Sequence, residues 1–236
     1  MAASLYRLAW WIENSFIPAV SALQDFVSNK LLLAFEGLEA EAARVADEAM
    51  KRMSPRADPD SDYGDIAESA QDVGVTYYER MSDVHQGILN LIAVAIHHQF
   101  EQQQITLARR ELLFDGTEDD SSTMKPETFV RRLKATGIDT TAFADSRKLT
   151  ELRLVANVAK HAEGPSASEL EKVRPDLFVS PLIAQFRLRI RPRVRHVYRP
   201  LSGDDLYVTP RDLNVYFEAV VGFWTELLQM VRAPEM

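Results

Sequence analysis

The stretch NLIAVAIHHQFEQQ, residues 90–103, decides the fold class of this 236-residue chain. Its apolar residues recur at intervals of four, which places them on one face of an α-helix. The residues that show this spacing are Ile92, Ile96 and Phe100. The same kind of pattern continues from about residue 66 to residue 114, so it predicts one long helix with an interruption near Gly74 or Gly87.

Helical patterns also cover most of the remaining chain. An earlier one runs from about residue 17 to residue 53, and its length beside the long helix predicts an antiparallel helical pair. Proline-initiated or capped patterns predict further helices that start near Pro126, Asp145 and Pro210. We therefore predict a mostly α protein, an antiparallel helical bundle. Residues 1–65 are expected to form an N-terminal helical segment that packs on a main domain of residues 66–236.

A short region before the last helix shows a different period. From Phe186 to Tyr198, apolar and charged residues alternate with a period of two, which is typical of a strand. A turn sequence, Ser202-Gly203-Asp204, then precedes the short apolar stretch 206–208. This pattern predicts a small β-hairpin at about residues 186–209.

Composition excludes several classes of protein. The chain has no cysteine, which excludes disulfides, thiolate metal sites and a cysteine nucleophile. It has no phosphate-binding glycine loop and no dinucleotide fingerprint, so we expect no cofactor. No apolar run is long enough to span a bilayer, and the N-terminus lacks the pattern of a signal peptide. We therefore expect a cytoplasmic protein that does not enter the membrane.

The sequence ELRLVANVAKHAEG, residues 151–164, carries the first candidate for chemistry. Arg153, Asn157 and His161 follow one another at intervals of four along one edge of a predicted helix, with Lys160 beside them. Histidine exchanges protons near neutral pH, and cations neutralise a phosphate, so this set suits RNA cleavage without a metal. The alternative is structural: Asn157 and His161 bond to a neighbouring segment, and Lys160 is solvated.

The segment 151–164 and the earlier stretch NLIAVAIHHQFEQQ, residues 90–103, together resemble the HEPN superfamily of helical bundles. The resemblance covers roughly residues 66–232. The superfamily motif has arginine, a polar residue that is often asparagine, three variable residues and then histidine. Asn157 and His161 match this motif, whereas Ala156 stands where arginine is usual. Members also carry an acidic residue in the earlier long helix, and Glu101 is similar to it.

The resemblance implies a function and its alternative. HEPN proteins are often metal-independent endoribonucleases of bacterial toxin–antitoxin or antiphage systems, and they typically work as homodimers. The resemblance therefore implies an RNA-binding protein that cleaves RNA, with a protein partner from the same system. Other members are inactive, which leaves open a non-catalytic helical interaction subunit. For cleavage, the expected site residues are His161, Arg153, Asn157, Lys160 and Glu101.

A second candidate is the arginine ladder, a series of arginines within FRLRIRPRVRHVYRP, residues 186–200. All but the last of them recur at every second residue. Its members are Arg187, Arg189, Arg191, Arg193, Arg195 and Arg199. On a strand they would share one face, where like charges repel unless anions neutralise them. An anionic partner, which could be RNA or another polyanion such as DNA or an acidic protein, would do so. Internal acids are the alternative, and a third interpretation is a charged edge strand that resists aggregation.

One weaker candidate lies within the long helix. His97 and Glu101 are four residues apart and could supply two ligands to a metal ion. No third ligand accompanies them in the sequence, so we favour polar contacts inside the core and predict no metal site.

Overall fold

A computed structural model describes residues 2–54, 63–112, 125–181 and 197–233 of the chain. Over these residues the protein is mostly helical, which confirms the predicted fold class. The α-helices, numbered in chain order, are α1 (Ala2–Trp11), α2 (Ile17–Phe26), α3 (Leu38–Met53), α4 (Tyr63–Arg110), α5 (Pro126–Ala135), α6 (Ser146–His161), α7 (Pro165–Val173) and α8 (Pro210–Arg232).

Helix α4 is the longest element. Its 48 residues run without interruption, which corresponds to roughly 70 Å at 1.5 Å per residue. The expected break at Gly74 or Gly87 is absent, because each glycine is a point of close packing. A Cβ atom at Gly74 would lie 2.8 Å from the Ala42 carbonyl oxygen, and one at Gly87 would clash with the Leu201 carbonyl. Neither α4 nor any other described helix has an apolar run that could cross a bilayer.

The N-terminal region is divided differently from the prediction. The pattern from residue 17 to residue 53 is not one helix, because the chain breaks between α2 and α3 at Gly37, whose φ of 78° is left-handed. A π-helical turn and a 3-10 turn lie between α2 and this break. Beyond it, α3 packs antiparallel to α4, as expected: Phe35 stacks on His85 near one end, with ring centroids 4.6 Å apart.

One hydrophobic core joins the N-terminal and C-terminal parts of the chain. Its centre is Trp224 of α8, which is fully buried. The indole donates a hydrogen bond to Gln103 Oε1 of α4 at 2.7 Å. The aromatic rings around it belong to Phe16, Phe100, Phe129 and Phe223, with centroids 5.0 to 6.0 Å from a neighbouring ring of the cluster. The N-terminal segment therefore shares its core with the main bundle.

The predicted β-hairpin is not seen. Residues 186–196, its first half, lie outside the described residues, and the stretch Leu206–Val208 is irregular chain that forms no strand. The apolar residues of this stretch alternate for another reason, because Leu206 and Val208 are buried in the core. Their backbone groups bond to the buried Asn90 of α4, which donates to the Leu206 carbonyl at 2.8 Å and accepts from the Val208 amide at 3.3 Å.

Candidate functional site

Helix α6 carries four of the five predicted catalytic residues on the side that is not packed into the core, and the fifth, Glu101, belongs to α4. Arg153 and Lys160 are exposed, whereas the apolar residues between them are buried. Ala156 is fully buried. The position where the HEPN motif has arginine therefore faces the core, and Arg153 and Lys160 are the nearest exposed cations along the helix.

An open pocket of about 400 Å³ lies where α4, α5 and the first half of α6 meet. Glu101 and Arg153, two of the predicted catalytic residues, both line it. The other polar residues of the lining are His97, Gln104, Glu127, Thr140, Thr141, Ser146, Arg147 and Thr150. Asn157, Lys160 and His161 are not among the lining residues, so the structure brings only part of the predicted set to this pocket.

The pocket also contains a histidine to which the sequence analysis gave no catalytic role. His97 is only 6% exposed, and its Nδ1 atom lies 3.4 Å from Glu101 Oε2. The geometry of this contact is too poor for a hydrogen bond, and Nδ1 has no other partner among the described residues. The spacing of four between His97 and Glu101 was the signal for this pair. A buried polar atom without a partner is rare enough to suggest a functional role.

The charges around His97 come from two helices. Burial is the main cause that lowers its pKa, and Lys160 and Arg153 of α6 and His98 of α4 lower it further. Glu101 opposes them, because its carboxylate favours the imidazolium. His97 is therefore neutral at pH 7.

The last turn of α6 fits the structural alternative in one respect. Asn157 is half-buried, and its amide donates to Ser166 Oγ across 3.4 Å, a contact with the start of α7. His161, in contrast, is exposed. The next residue, Ala162, has φ 59° and ψ −122°, a conformation that is costly for any residue except glycine.

A second polar cluster, the Arg174 cluster, includes Glu151 of α6. In it, Arg174, which follows α7, is paired with carboxylates. Arg174 donates to Glu151 at 2.5 Å, to Asp212 at 2.8 Å and to Asp176 at 2.6 Å. Glu151 also accepts from the Tyr216 hydroxyl at 3.0 Å. These bonds join α6 to α8 and to the segment after α7. The three carboxylates hold the pKa of Arg174 above its ordinary value, chiefly through the bonds to Asp176.

Most of the arginine ladder cannot be placed. Arg187, Arg189, Arg191, Arg193 and Arg195 lie outside the described residues. Arg199 is described and exposed, and its guanidinium pairs with the carboxylate of Asp204. For this one residue the structure agrees with the alternative in which internal acids neutralise the ladder.

No group of three histidine or acidic side chains that could hold a metal ion occurs in the part of the chain that the structure describes. The oxygen of Glu101 that faces His97, Oε2, also lies 3.6 Å from Nδ1 of His98.

Comparison of the chain with protein-family models, with curated proteins and with solved structures gives no match. The geometry of the pocket and of α6 is thus the basis for the function proposed below.

Proposed function

We propose that this protein is a HEPN-like RNA-binding protein that cleaves RNA without a metal ion. One observation carries the proposal: Arg153 and Glu101, which were selected from the sequence, line a common pocket with the buried His97. Lys160 adds a second cation close enough to influence that histidine. An acid and an imidazole of α4 and a cation of α6 thereby line one pocket.

The residues of α6 suit a phosphodiester. Arg153 and Lys160 would neutralise the phosphate, on which negative charge grows during transesterification. Asn157 would orient the scissile phosphate, and the exposed imidazole of His161 would transfer a proton. RNA is the substrate that fits, because its 2′-hydroxyl is an internal nucleophile and needs no metal-activated water. A homodimer and a role in a bacterial toxin–antitoxin or antiphage system, both implied by the resemblance, belong to the proposal as well.

One observation favours a second candidate, the non-catalytic interaction subunit. Ala156 is buried, so the motif position that normally holds arginine cannot contribute to a site shared with the exposed His161. In this case Arg153 and Lys160 would hold RNA or an acidic protein without cleaving it.

The decisive experiment incubates the purified chain with end-labelled single-stranded RNA, with and without EDTA. We expect cleavage that EDTA does not inhibit. The variant with both Arg153→Gln and Lys160→Gln should lose at least a hundredfold in rate, because two charges that stabilise the transition state are gone. A matched control removes two exposed cations of α3, through Lys51→Gln and Arg52→Gln, and should cleave like the wild type.

The results separate the candidates. RNA binding without cleavage, lost in the α6 double variant but kept in the α3 double variant, would support the interaction subunit. Neither binding nor cleavage at low salt would overturn both versions that involve RNA. Cleavage that EDTA abolishes and a divalent ion restores would contradict the metal-independent mechanism.

A further inference from the structure

We infer that His97 is a second proton-transfer residue of this site and that Glu101 is the positioning residue that orients its imidazole. The inference rests on the proposed function, since it assigns a role within the same cleavage reaction. It differs from the sequence-based expectation, in which His161 alone moved protons and His97 was a core residue.

The geometry of the pair supports these roles. Glu101 Oε2 lies 3.4 Å from Nδ1 of His97, so a small rotation brings the carboxylate to accept a hydrogen bond from Nδ1–H. That bond would fix the tautomer in which Nε2 carries a lone pair and can accept a proton. Hydrogen bonds at catalytic sites are often long or poorly aligned without substrate and tighten when substrate binds. The pocket of about 400 Å³ is large enough to admit the ribose and phosphate of one nucleotide.

Burial is the main cause that lowers the pKa of His97 and so keeps it in the form that accepts a proton, and the surrounding charges act in both directions. His98 on its own helix and Arg153 and Lys160 on α6 all disfavour the imidazolium, and Glu101 favours it. Glu127 of α5 and Arg147 of α6 also line the pocket and contribute opposite charges. A neutral imidazole at pH 7 is what a general base requires, and the cations that lower its pKa further would bind the phosphate.

Cleavage would proceed by attack of the ribose 2′-oxygen on the adjacent phosphorus. His97 Nε2 takes the proton of the ribose 2′-hydroxyl, and the 2′-oxygen forms a bond to phosphorus. The bond from phosphorus to the 5′-oxygen breaks, and the leaving oxygen takes a proton from solvent, to which the His97 imidazolium returns its own. The products are a 2′,3′-cyclic phosphate and a 5′-hydroxyl, and no electron is gained or lost.

The test compares two histidines of α4. His97→Gln should lower the rate of RNA cleavage at least a hundredfold, because the group that removes the 2′-hydroxyl proton is absent. His85→Gln is the matched control, since His85 is also partly buried with a pKa lowered by burial but lies twelve residues, or roughly 18 Å, away along the helix. It should cleave RNA like the wild type. Thermal unfolding establishes that each variant is folded.

A second variant covers the case in which His97→Gln does not fold. Glu101→Gln removes the carboxylate that raises the pKa of His97, so the acid limb of the pH–rate profile should move to lower pH while the maximal rate falls. A purely structural role for Glu101 would lower the rate at every pH without moving the limb. An unmoved limb would overturn the inference.

The outcomes also distinguish this inference from the proposed function. Cleavage that His161→Ala abolishes but His97→Gln leaves within threefold of the wild type would overturn the role of His97 and leave the ribonuclease intact. An absence of cleavage by the wild-type chain would overturn both.

Discussion

The Arg174 cluster and the pocket that contains His97, the His97 pocket, both involve helix α6. They differ in whether their polar groups are paired. Glu151 and Arg153, which belong to the cluster and the pocket respectively, are two residues apart and therefore lie on opposite sides of α6. In the cluster, Arg174 bonds to three carboxylates. In the pocket, the buried Nδ1 of His97 has no hydrogen bond. The contrast indicates that the cluster serves stability, whereas the pocket keeps polar groups available for a ligand.

The largest expected effect breaks the Arg174 cluster. Arg174→Met should lower the free energy of unfolding by about 3 kcal/mol, because Asp212 would be left largely buried without a cation and Glu151 would keep only the partly exposed Lys148. Urea unfolding measures the loss. Lys148→Met is the control: Lys148 also pairs with Glu151 but is 43% exposed, so its removal should cost less than about 1 kcal/mol. Equal losses would show that the cluster is not held by Arg174.

The next largest change in stability is expected from the backbone at the end of α6. Ala162 has a φ of 59° and a ψ of −122°, so Ala162→Gly should raise the free energy of unfolding by about 1 kcal/mol through relief of strain. If this strain positions His161, cleavage should slow in the same variant. A variant less stable than the wild type would contradict the strained conformation.

The His97 pocket should respond to truncation differently from the cluster. His97→Met removes a buried polar atom that has no partner and puts an apolar side chain of similar length in its place. We expect the free energy of unfolding to change by less than about 1 kcal/mol, or to rise, while cleavage is lost. Urea unfolding beside the cleavage assay checks both. A loss as large as that of Arg174→Met would show that His97 is part of the scaffold.

The smallest effect is a pH dependence. The pKa of His97 is lowered from 6.5 in the folded chain, chiefly by burial, so the unfolded chain binds the proton more readily. The wild type should lose stability as the pH falls below about 6.5 and approaches the lowered value. His97→Met should lose less over this window. His85, whose pKa burial also lowers, keeps contributing in both proteins, so the difference between the two curves isolates His97. Parallel curves would contradict the lowered pKa.

Much of the fold could be predicted because helices leave local signals. The predicted starts of α5 at Pro126, of α6 near Asp145 and of α8 at Pro210 agree with the structure within a residue or two. The exceptions depended on distant partners. Gly87 does not interrupt α4 because it accommodates the Leu201 backbone, and the alternating stretch 206–208 pairs with Asn90 instead of a strand.

The candidate site could be predicted only in part. Spacing along α6 identified Arg153, and the resemblance identified Glu101; the structure places both at one pocket. His97 received no catalytic role, because a histidine on an apolar helix face has the same pattern whether its nitrogens are paired or not. The arginine ladder apart from Arg199 stays a prediction, since those residues lie outside the described part of the chain.

The sequence by itself determined the helical class, the main helix boundaries and the absence of cysteine chemistry, because periodicity, capping residues and composition are properties of neighbouring residues. The tertiary structure alone decided that Ala156 faces the core, that Asn90 holds the segment before α8 and that His97 meets the charges of Arg153 and Lys160. These facts depend on which helix faces pack together. Contacts between residues 60 or more positions apart are set by packing and leave no local pattern to detect.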